Sequence, residues 1–182
     1  AYAAGALGEG LSLVVASHLT FCPDCSSQVA AGEVIGGALL DDLTPAPLGA
    51  GLRERVLERL NGPMPAPVVA LSRAADPLVP EPLKRYLPKG SGAFKWRLMA
   101  PGLRQFEIVP HAILGGGNLR MLRIAPGKAL PRHTHTGTEL TLVLRGSFSD
   151  ELGRFGPGDV AETDEEIMHQ PGSDPGEDCI CV

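Results

Sequence analysis

One histidine and two cysteines near the start of the chain have the spacing of a metal site. His18, Cys22 and Cys25 form the pattern His-x3-Cys-x2-Cys, and Pro23 suits the first turn of a new helix. Two thiolates and an imidazole one helical turn earlier can bind one tetrahedral ion, usually zinc. The alternatives to a zinc site are a redox pair of cysteines, or two buried thiols beside a histidine in the core. Because zinc prefers four donors, we expect a fourth ligand upstream of Ala1 rather than a water or a nearby glutamate.

A second group of candidate ligands lies in the last third of the chain. Segment 127–146 reads Gly-x5-His-x-His-x3-Glu-x6-Gly, and its polar residues are His133, His135 and Glu139. Residues two apart on a strand face the same side, so these side chains are expected to point into one cavity. His169 would join them from another strand. Three imidazoles and a carboxylate suit a divalent transition ion such as Zn, Fe, Mn, Ni or Cu.

The remaining cysteines and one further histidine allow less specific interpretations. Cys179 and Cys181 lie two apart on a predicted strand and would face the same side. They are either small buried apolar residues or a redox pair. His111 precedes a run of glycines, and we interpret it as a loop residue and not as a ligand.

Composition limits the classes of protein to which the chain can belong. It has 182 residues, 43% of them hydrophobic, which is enough for a packed core in one or two small domains. The formal net charge of −5 argues against direct nucleic-acid binding. No apolar run approaches the roughly 20 residues that span a bilayer, and no signal segment opens the chain. Close cysteine pairs in such a chain indicate metal or redox sites and not a disulfide framework.

The predicted elements change in character along the chain. Residues 1–43 are expected to form two helices, and 52–60 a short amphipathic helix. Seven prolines in 62–92 indicate a semi-extended linker, with one helical turn near 83–87. From residue 93 onward, short runs separated by Gly and Pro favour an all-β barrel or sandwich. The candidate strands are 94–98, 104–109, 118–124, 139–145, 159–162 and 178–182.

Charge is distributed unevenly between the two halves of the chain. Residues 1–52 contain no Lys or Arg but several Asp and Glu side chains. A helical domain that carries one sign of charge can steer a basic partner towards itself. An ordinary solvated acidic surface is the alternative explanation.

These motifs resemble those of known protein families. Segment 127–146 matches the first cupin motif, and 157–159, Pro-Gly-Asp, followed by His169 resembles the second. A helical His-x3-Cys-x2-Cys segment joined by a Pro-rich linker to a cupin resembles the ChrR-type zinc-binding anti-sigma factors. The resemblance covers nearly the whole chain. The residue sequences of segments 1–5, 12–16, 139–144 and 178–181 are also similar to those of this family.

The resemblance implies an α+β fold class in three parts. These are a small N-terminal helical zinc-binding anti-sigma domain at 1–61, a Pro-rich linker at 62–92 and a C-terminal all-β cupin barrel at 93–182. The family's helical site uses a further histidine upstream of the matched trio. Zinc would occupy that site, and zinc or another divalent transition ion the cupin site.

The resemblance also implies a function. The helical domain would bind an extracytoplasmic-function sigma factor in the cytoplasm and block its access to core RNA polymerase, without contacting nucleic acid or a membrane. The cupin domain would be needed to release the sigma factor on oxidative stress, caused by singlet oxygen or organic peroxide. The main alternative is a cupin metalloenzyme, a dioxygenase or isomerase, for which few acid–base residues are evident beyond the ligands, although Glu162 could face inward. A storage or structural cupin is the third possibility.

Overall fold

Helices precede strands in the computed structural model, which describes residues 1–63, 79–88, 94–108 and 118–182. Within these ranges the helices are α1 (Glu9–His18), α2 (Pro23–Asp41), α3 (Leu52–Asn61) and α4 (Glu81–Lys84). The strands are β1 (Arg97–Ala100), β2 (Leu103–Ile108), β3 (Leu119–Ile124), β4 (Glu139–Arg145), β5 (Phe148–Asp150), β6 (Gly153–Phe155), β7 (Val160–Thr163), β8 (Gly172–Ser173) and β9 (Cys179–Cys181). Most of the predicted linker and all of the His111 loop lie outside the described residues.

The first two helices meet at the predicted metal motif. Pro23 takes the first position of α2, and the Cys22 sulfur caps this helix by accepting the N–H of Cys25 at 3.4 Å. Helix α2 continues past Gly36 and Gly37, although glycine weakens a helix interior. Each glycine costs about 1 kcal/mol relative to alanine, and the flanking alanines and leucines are strong helix formers. Among the described helices, none is long and apolar enough to cross a bilayer.

The strands pair antiparallel and form two sheets. The large sheet has the order β1-β2-β3-β9-β4-β7, and the small sheet has the order β6-β5-β8. The last strand therefore lies near the middle of the large sheet, where Cys181 of β9 is opposite Leu122 on one side and Val143 on the other. Pairing between segments far apart in sequence thus determines the arrangement of this half of the chain.

Helices α1 and α4 cover one face of the large sheet. Leu142 of β4 and Ile180 of β9 are buried on this face together with Leu13 and Val14 of α1 and Leu83 of α4. Burying an aliphatic side chain of this size contributes about 1.5–3 kcal/mol. The helical segment and the β region therefore share a hydrophobic core, which holds α1 against the sheet.

The opposite face of the large sheet packs against the small sheet. Val143 and Cys179 are buried there with Ile124, and they pack against Phe148 of β5 and Phe155 of β6. Successive strand residues point to opposite faces, so β4 and β9 contribute to both apolar layers. This burial on two sides explains why β4 and β9 are apolar without strict alternation.

The strand predictions agree with the structure where the apolar runs are long. Predicted strands 104–109, 118–124 and 139–145 coincide with β2, β3 and β4 to within a residue, and β7 and β9 also lie where strands were expected. The prediction 94–98 overlaps only the start of β1. Strands β5, β6 and β8 are absent from the prediction, since runs of two or three residues show no periodicity. The broad prediction of N-terminal helices and a C-terminal β region is confirmed.

Candidate metal centres

His18, Cys22 and Cys25, called the helical site below, converge at the junction of α1 and α2. Their ligand atoms, one from each residue, all lie within 4.8 Å of one another. His18 ends α1, and its carbonyl oxygen accepts the N–H of Cys22 at 3.1 Å. This tight turn between the helices places the imidazole beside the two sulfurs. The structure thus brings together the three residues predicted for the first site.

The hydrogen bonds of the helical site leave its ligand atoms available. Nδ1 of His18 lies 2.7 Å from the carbonyl oxygen of Gly158, which can only accept, so Nδ1 carries the ring proton and Nε2 keeps its lone pair. A hydrogen bond to the Cys22 sulfur raises the pKa of Cys25. An ion that displaces this proton would bind both sulfurs as thiolates. One imidazole and two thiolates fit zinc, which commonly takes such donors.

Three of the four residues predicted for the second site also converge. The backbones of His133 and His169 exchange two hydrogen bonds of 3.0 Å, so strand-like pairing places their side chains together. The ligand atoms of these two residues and of His135 lie within 4.8 Å of one another. His169 is buried and the other two are half-buried. These three residues are called the histidine cluster below.

Each ring of the histidine cluster is held through its Nδ1 atom. Nδ1 faces the Pro131 carbonyl in His133 at 2.8 Å, the Glu139 carboxylate in His135 at 3.2 Å and the Asp150 carboxylate in His169 at 2.9 Å. A ring nitrogen that faces a carbonyl or carboxylate must donate, so each Nδ1 carries a proton. Each Nε2 atom is then a lone-pair donor that a metal ion can use.

The close contact between two of these rings favours the binding of a cation between their nitrogen atoms. Nε2 of His135 lies 2.9 Å from Nε2 of His169. Two lone pairs at this distance repel each other unless a proton or a metal ion lies between them. Burial lowers the pKa of His135, so its ring is not readily protonated near neutral pH. The imidazoles therefore fit a divalent transition ion.

Two glutamates considered in the sequence analysis lie outside this convergence. The Glu139 carboxylate lies 3.2 Å from Nδ1 of His135, accepts a hydrogen bond from the Thr141 hydroxyl at 3.3 Å and pairs with Arg120 at 3.5 Å. Its role as the fourth ligand stays a prediction, which requires the carboxylate to turn from Nδ1 towards the ion. Glu162 is exposed, so it does not face the site as the enzyme alternative supposed.

Asp150 is a candidate functional residue that the sequence analysis does not single out. Its side chain is completely buried, and its Oδ2 atom accepts the Nδ1 proton of His169. Such a carboxylate selects the tautomer of a metal-binding imidazole, orients the ring and raises its basicity. No sequence pattern marked Asp150, because β5 has only three residues and Asp150 lies 19 residues from His169 in sequence.

Cys179 and Cys181 are buried and form no disulfide. Their thiols interact through a hydrogen bond that, together with burial, raises the pKa of Cys181 well above its usual value. The same hydrogen bond lowers the pKa of Cys179. Cys179 also packs in the apolar layer between the two sheets. This environment is the one expected for small buried residues.

Helices with a Cys/His cluster, followed by antiparallel sheets with a histidine cluster, define a two-part protein of the cupin-like type with two candidate metal centres. The family model of the ChrR cupin-like domain matches residues 91–182. The anti-sigma-E factor ChrR of Cereibacter sphaeroides is 42% identical over 182 residues, which cover all of this chain and 83% of that protein. The crystal structure of Rhodobacter sphaeroides SigE in complex with the anti-sigma ChrR matches with a TM-score of 0.82 and 38% identity, over 99% of this chain and 90% of that one. The chain belongs to the ChrR family.

Proposed function

We propose that this chain is an anti-sigma factor that binds an extracytoplasmic-function sigma factor and keeps it from core RNA polymerase. The observation that carries the proposal is an apolar surface on α2 and α3 that nothing in the described part of the chain buries. Neither helix contains a buried residue. Large apolar side chains are nevertheless exposed on both: Val34, Ile35, Leu39, Leu40, Leu52, Val56, Leu57 and Leu60.

An uncovered apolar surface of this kind requires a partner. Monomeric proteins rarely leave large contiguous apolar patches in water, and such patches usually mark protein–protein interfaces. Isolated helices gain little stability from intrinsic propensity, so α2 and α3 depend on packing for their order. A partner that buries both helices would supply this packing, and a specific interface buries at least about 1,200 Å² in total.

The charge of the helical segment agrees with a sigma factor as this partner. Residues 1–52 carry Asp and Glu but no Lys or Arg, and a DNA-binding subunit presents a basic surface. One relative of known structure is an anti-sigma in complex with SigE. This similarity favours a regulator over the cupin metalloenzyme alternative. The complex would form in the cytoplasm, where RNA polymerase acts, without contact to DNA or a membrane.

The metal sites have separate roles in this proposal. Zinc at the helical site, with a fourth ligand upstream of Ala1, would hold α1 and α2 in a fixed relation. Zinc or another divalent transition ion would bind the histidine cluster, with Glu139 as a further ligand. The three parts would be the anti-sigma domain at 1–61, the linker at 62–92 and a cupin barrel at 93–182.

Release of the sigma factor is the regulated step of the proposal. Singlet oxygen or organic peroxide would act on the metal-bound cupin domain, because metal-binding side chains are plausible targets of oxidation. The complex should dissociate when the intact protein is exposed to a photosensitiser and light, or to an organic peroxide. A complex with the His169→Ala variant should resist the same treatment. Equal release from both proteins would refute a role for the cluster.

Binding through the apolar helix surface can be tested with two matched variants. Leu39 on α2 and Leu98 on β1 are each 65% exposed. Replacing Leu39 with Asp should weaken binding of the purified sigma factor encoded beside this chain by about 30-fold or more, because it places a charge in a buried interface. Leu98→Asp makes the same chemical change outside that surface and should bind like the wild-type protein. Binding is measured by titration calorimetry.

The outcomes of this comparison are decisive. Both exposed substitutions should leave the free energy of unfolding within about 0.5 kcal/mol of wild type, which excludes misfolding as the cause of lost binding. If the wild-type chain fails to associate with the sigma factor, the proposed function is wrong. If Leu39→Asp binds as tightly as Leu98→Asp, the apolar helix surface is not the interface.

A further inference from the structure

A turn of the C-terminal β region contacts the junction of α1 and α2. The turn spans 156–159 between β6 and β7, and Asp159 closes it by donating its N–H to the carbonyl of Gly156 at 2.9 Å. The Asp159 carboxylate accepts the N–H of Gly156 at 2.8 Å. Gly158 has a φ of +92°, a conformation that residues with side chains rarely adopt. The turn is therefore short, doubly closed and dependent on glycine.

Two contacts join this turn to the helical site. The carbonyl oxygen of Gly158 accepts the Nδ1 proton of His18 at 2.7 Å, across 140 residues of sequence. The side chain of Phe21 occupies the space beside Gly158, since a Cβ atom built there would lie 2.9 Å from the Phe21 Cβ atom. A residue larger than glycine could not accept this approach without displacing the helix junction.

The same turn is anchored to the centre of the β region. Gly158 donates its N–H to the carbonyl of Val143 at 2.8 Å, and Val143 donates its N–H to the carbonyl of Asp159 at 3.0 Å. Val143 lies on β4, which begins at Glu139 beside the histidine cluster. Hydrogen bonds therefore connect the strand next to the histidine cluster with the imidazole of the helical site.

We propose that Gly158 is a positioning residue for the helical site, so that the C-terminal domain sets the affinity of His18, Cys22 and Cys25 for zinc. The carbonyl of Gly158 holds the His18 tautomer in which Nε2 is free, and it directs the ring. The loss of such an outer partner weakens metal binding by about 10- to 100-fold. This inference rests on the zinc site of the proposed function and adds a route by which a change in the cupin domain reaches the sigma-binding helices.

The test compares zinc binding by the full chain and by Gly158→Ala. The added methyl group conflicts with Phe21 and with the positive φ, so it moves the carbonyl away from His18. Zinc affinity is measured by competition with a chromophoric chelator. The thiolate-to-metal charge-transfer band of bound Co²⁺ identifies the helical site, because the histidine cluster contains no cysteine. We expect about a 10-fold or greater loss at the helical site and none at the cluster.

Gly176→Ala is the matched control for backbone strain. Gly176 lies in another turn of the same domain with a φ of +120°, and a Cβ atom there would meet nothing within 4 Å. This variant bears comparable strain without touching the helix junction, so its zinc affinity should equal that of wild type. Phe21→Ala removes the packing without altering the turn and keeps the test valid if Gly158→Ala does not fold. It should also weaken the helical site.

A further measurement shows directly which ring nitrogen of His18 carries the proton. Histidine-selective ¹⁵N NMR of the zinc-loaded protein should show His18 protonated at Nδ1 in wild type, with slowed exchange that Gly158→Ala abolishes. Protonation at Nε2 instead, or unchanged zinc affinity in both Gly158→Ala and Phe21→Ala, would overturn the inference. Neither measurement uses a sigma factor, so failure of the anti-sigma proposal would appear separately, as absence of binding by the wild-type chain.

Discussion

Replacing Asp150 with Asn should weaken metal binding at the histidine cluster while preserving the fold. Asparagine has nearly the same shape as aspartate, but it lacks the negative charge that accepts the Nδ1 proton of His169 at 2.9 Å. Its amide N–H₂ group can face Nδ1 and favour the opposite tautomer, in which Nε2 carries the proton. That tautomer cannot bind a metal ion through Nε2.

The size of the effect follows from the burial of Asp150. A hydrogen bond to a charged group contributes about 1.5–3 kcal/mol, and the Asp150 carboxylate is completely buried, where electrostatic interactions are strongest. Loss of an outer carboxylate typically reduces metal affinity by about 10- to 100-fold. At about 1.4 kcal/mol for each factor of ten, the two ranges agree. We expect a loss near the upper end.

The assay is competition for zinc, with Glu151→Gln as the control. Glu151 is the next residue, but its carboxylate accepts the backbone N–H of Gln170 at 2.8 Å instead of a ring proton. The control therefore removes one negative charge nearby without disturbing an imidazole. The Co²⁺–thiolate band should be unchanged in both variants, since the helical site is intact. Equal affinity of Asp150→Asn and wild type, or an equal loss in the control, would refute the reasoning.

Two further predictions concern other pairs of side chains. The hydrogen bond from the Tyr86 hydroxyl to Glu9 at 2.6 Å raises the pKa of Tyr86. The stabilisation of the fold by this hydrogen bond is therefore complete below the unfolded-state pKa of about 10. It is lost as pH rises through the folded-state pKa of Tyr86. Tyr86→Phe should lower the free energy of unfolding by about 1 kcal/mol at neutral pH and flatten its decline in base, which chemical denaturation at several pH values measures. Because Cys179 and Cys181 are buried whereas Cys22 and Cys25 are half-buried, a thiol reagent should label metal-free protein first at Cys22 and Cys25. It should reach Cys179 and Cys181 only on unfolding, as mass spectrometry would show; early labelling of Cys181 would contradict the burial.

Local sequence was sufficient for features that depend on near neighbours. The helical site could be predicted because His18, Cys22 and Cys25 lie within eight residues, where helical periodicity and Pro23 determine the backbone. The shared orientation of His133 and His135 likewise follows from the alternation of side chains along extended chain. Strands β2, β3 and β4 could be located because their apolar runs are long enough to show a pattern.

Sequence by itself determined which chemical groups this chain offers and the resemblance from which its family could be inferred. Only the tertiary structure showed that Asp150 orients His169 and that Gly158 contacts His18. It also showed that the apolar side chains of α2 and α3 remain exposed instead of entering the core. These facts depend on pairings between segments that are distant in sequence. The free energy of such pairings comes from the packing of the whole fold, which local sequence periodicity does not predict.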